Sequence, residues 1–228
     1  MIISVHQPNF LPWSGYFHKI NVSDRFVFLN SVQFSKGSYT NRCKIRSANG
    51  YQWLTVSIRK HSLETQICEI EIDNSKDWRK RHLDLLFSVY KDTPFYYEVF
   101  SFLETLYGFD SPSLDVMNRN FIIAMCDFLQ IKGEFFTSKS LADNNLSRES
   151  LVINLVKKLE GSIYFAGQGS KEYQQDDLFE KNQIEVVYSL WNEDSVYKDP
   201  ELKGIGLSII DSLFYSGPSN LRNVFSNK

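Results

Sequence analysis

The sequence predicts an α/β protein: a mainly parallel sheet flanked by helices, with an inserted β-hairpin and a helical middle segment. Three observations predict it. Short apolar runs that read as buried strands open the 228-residue chain and return in its last third, alternating with helical patterns, as parallel strands covered on both faces do. Around Asn49-Gly50, residues alternate on both sides of a pair that favours the positive φ angles of a tight turn. From residue 75 to 128, apolar residues recur at helical spacing.

The elements follow in order. Residues 2–5 form a short buried strand, 13–20 a short helix, and 25–29 (RFVFL) a second strand bounded by Ser23-Asp24 and Asn30-Ser31. One short helix between two buried strands is the arrangement of a right-handed crossover, so these strands are expected to be parallel neighbours. The segment NRCKIRSANGYQWLTVSI is the hairpin, and residues 67–72 alternate as a half-exposed strand should. Trp78, His82, Leu85, Leu86 and Val89 mark a helix that Thr93-Pro94 stops. A second helix runs over 95–107 to Gly108, and a third begins at Asp110-Ser111-Pro112 with Leu114, Met117, Phe121, Met125 and Phe128 as its apolar stripe. The last third reads as a helix over 147–159, a strand at 163–165, a short helix around 177–180, a strand at 184–188 and a final helix over 206–214 closed by Gly217. Residues 1–228 are expected to form a single domain, with 142–145 as its seam.

Composition bounds the function. With 43% apolar and 15% aromatic residues the chain can bury a sizeable core. Its 25 basic and 27 acidic residues leave a net charge of −2 with no basic block, which argues against nucleic acid. No apolar run approaches the ~20 residues of a membrane span, and the N-terminus has no basic, cleavable leader, so a cytoplasmic protein is expected. Cys43, Cys68 and Cys126 are odd in number and far apart, which suggests neither a disulfide framework nor a metal site.

Three polar stretches carry the candidate chemistry. At the end of the first strand, where an open parallel sheet gathers its ligands, stand His6, Gln7, Asn9 and Trp13, in a loop restricted by Pro8 and Pro12 that feeds a helix N-terminus. Imidazole is the side chain best suited to proton transfer near neutrality; as the bland alternative, His6 bonds a neighbouring carbonyl and the amides satisfy loop backbone. The second stretch, VQFSKGSYTNRCKI, holds Gln33, Lys36, Tyr39, Asn41, Arg42 and Lys44. Arg42 can grip a phosphate or carboxylate with its planar fork while the lysines act as point charges; otherwise the segment is a solvated hairpin stem. The third, FAGQGSKEYQQDD, places Gly167, Gly169, Ser170 and Lys171 after a strand, resembling a phosphate-cradling loop without matching a P-loop spacing.

Together HQPNFLPWSGYFHKI, VQFSKGSYTNRCKI, NGYQWLTVSI, the helix over 78–90, AGQGSKEY and LSIIDSLFYSGP follow the pattern of the WbqC-like family in order and over nearly the whole chain. The stretch from Ser170 to Tyr173 departs from it where a Gly-Arg or similar pair precedes the tyrosine. The resemblance implies a bacterial protein of O-antigen and other surface-polysaccharide gene clusters, often beside enzymes that make nucleotide-linked deoxyamino sugars.

The leading expectation is therefore a transferase that acylates or aminoacylates the amine of a nucleotide-linked amino sugar. His6 would be the base, Arg42, Lys36 and Lys44 would hold the pyrophosphate, and Trp13 or Tyr39 would stack on base or sugar. The acyl or aminoacyl donor is unidentified, since no coenzyme A or tetrahydrofolate site is recognisable. A homo-oligomer is compatible with this reading. The alternatives are a nucleotide-dependent ligase or nucleotidylyltransferase, against which the twelve-residue separation of His6 and His18 argues, and a noncatalytic sugar-binding or assembly factor.

Overall fold

Ile3 and Val5 face one side of the first strand, β1 (Ile2–His6), and Ser4 and His6 the other; a strand with burial on both faces belongs at the centre of a sheet. The computed structural model describes residues 1–143, 146, 148–193, 196–197, 200–202 and 204–226. In it β1 pairs in parallel with β2 (Arg25–Phe28), Val5 opposite Val27, across helix α1 (Ser14–Val22), as the short crossover predicts. The described residues form a parallel sheet of order β5-β2-β1-β6-β7 and a separate antiparallel hairpin.

From β2 the chain leaves the sheet for the hairpin, β3 (Arg42–Ser47) and β4 (Gly50–Thr55), and for helices α2 (Trp78–Tyr90), α3 (Tyr96–Tyr107) and α4 (Leu114–Phe128). It returns outside β2 as β5 (Glu134–Thr137), then crosses through α5 (Ser138–Leu141) and α6 (Arg148–Lys158) to β6 (Ile163–Ala166) on the far side of β1. Helix α7 (Asp176–Lys181) leads to β7 (Glu185–Tyr188), and α8 (Ile209–Ser216) and α9 (Pro218–Ser226) close the chain. Two cores result. Phe17, Ile20, Phe26, Phe28 and Phe121 pack on the α1 and α4 face, whereas Ile3, Val5 and Val27 pack against Leu155, Val156 and Phe179 of α6 and α7. Strand order reverses between β1 and β6, so the fold is doubly wound, with its switch point between those strands.

The two central strands also part there. Their pairing runs only through Ile2↔Ile163 and Ile3↔Tyr164. Beyond it side chains take over from the ladder: Ser4 Oγ donates to the Phe165 carbonyl at 2.9 Å, and Lys19 Nζ to the Val5 carbonyl at 3.2 Å. Buried carbonyls need a donor, and the opening of the wedge leaves only side chains to supply one.

Several local expectations change. Residues 67–72 are not a strand: Ile67–Glu69 is a 3₁₀ turn with a reciprocal Gln66–Glu69 capping box, followed by single bridges Glu71↔Ser113 and Ile58↔Ile72. Helix α4 starts at Leu114, capped by Ser113 Oγ, because the Pro112 carbonyl is engaged by the Ile72 N–H. Opposite Ser47 stands Gly50, so Ala48-Asn49 makes the hairpin turn and Gly50, at φ +104°, follows it. Strand β5 and helix α9 are additions to the sequence reading. Of the expected seam, Asn144 and Asn145 lie outside the described residues, as does Ser147 at the expected start of α6; Ala142 packs on the second core and Asp143 is bonded to Asn154 and Lys158 of α6.

Candidate functional site

The loop after β1 is held from several sides. The Phe10 N–H donates to the Tyr39 carbonyl at 3.0 Å, which ties it to the loop after β2. Asn118 of α4, fully buried, donates through Nδ2 to the carbonyls of Pro8 (2.8 Å) and Thr40 (2.7 Å), one in each loop. Its Oδ1 has no partner, so the clamp is made by the amide nitrogen alone. From the C-terminal part of the chain, the Ile209 N–H reaches the Pro12 carbonyl and the Ser208 N–H the Lys44 carbonyl, adding the hairpin to the same assembly.

Above the switch point these loops enclose a cleft of about 1110 Å³. Of the sequence-predicted residues, His6, Gln7, Trp13, Tyr39, Gly167, Gly169 and Ser170 line it, from the ends of β1, β2 and β6 together. A second cavity of about 420 Å³ adjoins it, lined by Asn9, Lys44 and the Gly204–Gly206 turn, and shares His6, Gln7, Trp13, Tyr39 and Glu193 with the cleft. His6 thus stands where the two spaces meet. Trp13 does not cap α1 with its side chain, and Gly15 in the first turn lines the cleft. A Cβ on Gly15 would lie 2.8 Å from Trp13 Nε1 and 3.0 Å from Trp191 Cδ1, so glycine lets two indoles flank that helix end.

The chemistry of His6 follows from its contacts. Its Nδ1 lies 3.1 Å from the Gln7 carbonyl, which can only accept, so Nδ1 carries the hydrogen and Nε2 the lone pair. Burial, and secondarily the charge of Lys19, lower its pKa to about 3. The ring is therefore neutral throughout the physiological range and a weak base. Lys19 itself, 4% exposed, is lowered by burial to about 7. The influence runs one way because Lys19 gains its proton first as pH falls, and His6 then titrates beside a charge.

The other predicted residues, Lys44 apart, stand outside both cavities. Arg42 spends its guanidinium on the Gly37 carbonyl and on the face of Trp53, 3.9 Å from the ring centre, which fastens the loop before the hairpin. Gly37, at φ +76°, is the backbone position this fastening holds. Asn41 is buried and donates to the Val56 carbonyl, exposed Gln33 donates to the Leu63 carbonyl, and Lys36 is exposed. Lys171, also exposed, lies 5.8 Å over Tyr188. Lys44 donates to the Ile205 carbonyl at 2.8 Å and faces Tyr51, yet lines the second cavity. The expected pyrophosphate trio of Arg42, Lys36 and Lys44 is not assembled: Lys44 alone reaches a cavity.

The structure adds Gly15, Lys19, Trp191 and Glu193 to the walls. Of these Lys19 had a signal in sequence: Tyr16, Phe17 and Ile20 form the buried face of α1, and a lysine among them is out of place.

Fold and crevice define a doubly wound α/β protein with a two-part cleft at its switch point. The sequence matches the WbqC-like protein family over residues 7–223, and the chain belongs to that family. It is also similar to the uncharacterized protein Rv1507c of Mycobacterium tuberculosis (strain ATCC 25618 / H37Rv), 29% identical over 223 residues covering 94% of each chain. No solved structure matches it.

Proposed function

We propose that the protein is a transferase of bacterial surface-polysaccharide biosynthesis that acylates or aminoacylates the amine of a nucleotide-linked amino sugar. The observation that carries this reading is the pair of adjoining cavities with His6 at their junction, since a group transfer needs two ligands to meet at one side chain. The larger cleft has the volume for a nucleotide-linked sugar, aromatic walls in Trp13 and Tyr39, and the uncapped start of α1 for phosphate oxygens. The smaller cavity, with Lys44 and Asn9, suits the donor.

In this reading the amine enters neutral and donates a hydrogen bond to His6 Nε2. Its nitrogen forms the new C–N bond to the acyl carbon. The bond to the donor's leaving group breaks, and His6 carries the released proton from nitrogen to that leaving group. Such a substrate is cytoplasmic, and the reading places the protein there; among the described residues no helix is long and apolar enough to cross a membrane.

The test is a titration against UDP-, dTDP- and GDP-linked amino sugars, followed by mass spectrometry of the bound sugar after incubation with acyl and aminoacyl donors. Binding with a mass gain at the amine, abolished in His6→Ala while affinity stays within about threefold, is the expected result. Binding without turnover by any donor would make the protein a sugar-binding factor, and no binding at all would end the reading.

A further inference from the structure

Lys19 is the most anomalous group in the cleft. Its carbon chain lies on the buried face of α1, and its nitrogen reaches into the wedge where β1 and β6 part. An ammonium has three donors, and one is used, on the Val5 carbonyl. Sharing the space are His6 at the end of β1, Tyr39 after β2, Arg148 and Glu149 on α6, Tyr164 on β6, Tyr173 after β6 and Glu193 after β7. Among the described residues neither carboxylate pairs with Lys19; Glu193 instead accepts from the Gly204 N–H at 2.8 Å. His18, on the same helix, is turned to the ring of Trp191.

A buried cation without a counter-ion costs stability and is retained where a ligand supplies the missing charge. We propose that Lys19 is the receptor for an oxyanion of the ligand, phosphate or carboxylate, seated in the wedge at the switch point. The assignment goes beyond the sugar-nucleotide reading, because it holds for any ligand that carries such a group. Anion and proton then bind together: the amine, neutral in part near pH 7, becomes fully charged once the oxyanion arrives.

The experiment is calorimetric titration of the full chain with three probes, sodium sulfate, sodium acetate and UDP-glucosamine, at pH 6 and pH 8.5, in buffers of different ionisation heat. At least one probe should bind, with proton uptake at pH 8.5. Its dissociation constant should rise about thirtyfold from pH 6 to pH 8.5, as the charged fraction of an amine titrating near 7 falls. Lys19→Met should weaken that binding at least tenfold at pH 6 and remove its pH dependence. Sulfate or UDP-glucosamine without acetate identifies a phosphate group; acetate alone identifies a carboxylate. No binding by any probe, a constant unchanged between the two pH values, or equal affinity in Lys19→Met overturns the proposal. Lys19-dependent sulfate binding by a protein that ignores every nucleotide sugar would uphold it and refute the sugar-nucleotide function, so the two fail separately.

Discussion

Lys19→Met should make the protein more stable at pH 6 and less stable above pH 10, reversing sign on the way. The fall of the Lys19 pKa from its ordinary 10.5 to about 7 corresponds to about 5 kcal/mol of preference for the neutral amine in the folded state. Between those two values the unfolded chain binds the proton and the folded one does not, so the wild-type contribution rises with pH; below pH 7 the full cost is present. Methionine keeps the unbranched shape and removes that cost, but it leaves the Val5 carbonyl without its donor, a loss of about 1–3 kcal/mol. The expected net gain at pH 6 is about 2–4 kcal/mol, shrinking as pH rises above 7 and becoming a loss of about 1–3 kcal/mol once Lys19 is neutral in the unfolded chain as well as the folded one. Urea unfolding of both proteins at half-unit intervals from pH 6 to 10.5, with m-values compared, measures this. A variant less stable than wild type at pH 6 would refute the reasoning: the amine would then be a structural donor whose burial costs nothing.

Three further outcomes follow from other contacts. Asn118→Ala should cost about 2–4 kcal/mol, since it strands the Pro8 and Thr40 carbonyls while relieving one unpaired oxygen, and hydrogen exchange should quicken in both loops at once. Arg42→Lys should lower stability through loss of the Gly37 bond and the stacking on Trp53, yet leave nucleotide-sugar affinity within about twofold, because Arg42 lines neither cavity; a tenfold loss of affinity would return it to the site. Acid should destabilise the protein from about pH 6.5 downward. Burial holds His6 at about 3 and His82 at about 4, so below 6.5 the unfolded state takes up protons that the folded state refuses; a flat stability profile from pH 7 to 4.5 would contradict both assignments.

What was legible in the sequence was set by local pattern. The strands around Val5 and Val27, the hairpin and the helices over 78–128 announce themselves by alternation or helical spacing. Residues 67–72 alternate equally well, but Ile67 and Ile70 meet the core three residues apart through a 3₁₀ turn, and the Gln66–Glu69 box was the readable sign of it. Strand β5 offers only Glu134–Thr137 beyond a glycine, and its place beside β2 is fixed by pairing rather than pattern. Among the residues lining the cleft, His6, Gln7 and Trp13 were readable because they follow a strand, and Tyr39 because it stands in a polar cluster. Arg42 stands in the same cluster yet lines neither cavity: a cluster in sequence says nothing about which cation a loop carbonyl will claim. Trp191 and Glu193 reach the cleft from residues far along the chain, a proximity that only the tertiary fold creates.

The long-range bonds around β1 have a consequence for how the protein is made. His6 leaves the ribosome well before β6, the other neighbour of its strand, and before Ile209, the partner of the Pro12 carbonyl. Until β6 emerges β1 is therefore paired on its β2 side alone, and the cleft takes shape only when the final third has been delivered. The chain thus has no early-formed half that could work alone, and any nascent fragment that stops before β6 exposes a row of backbone donors and acceptors to whatever strand is nearest.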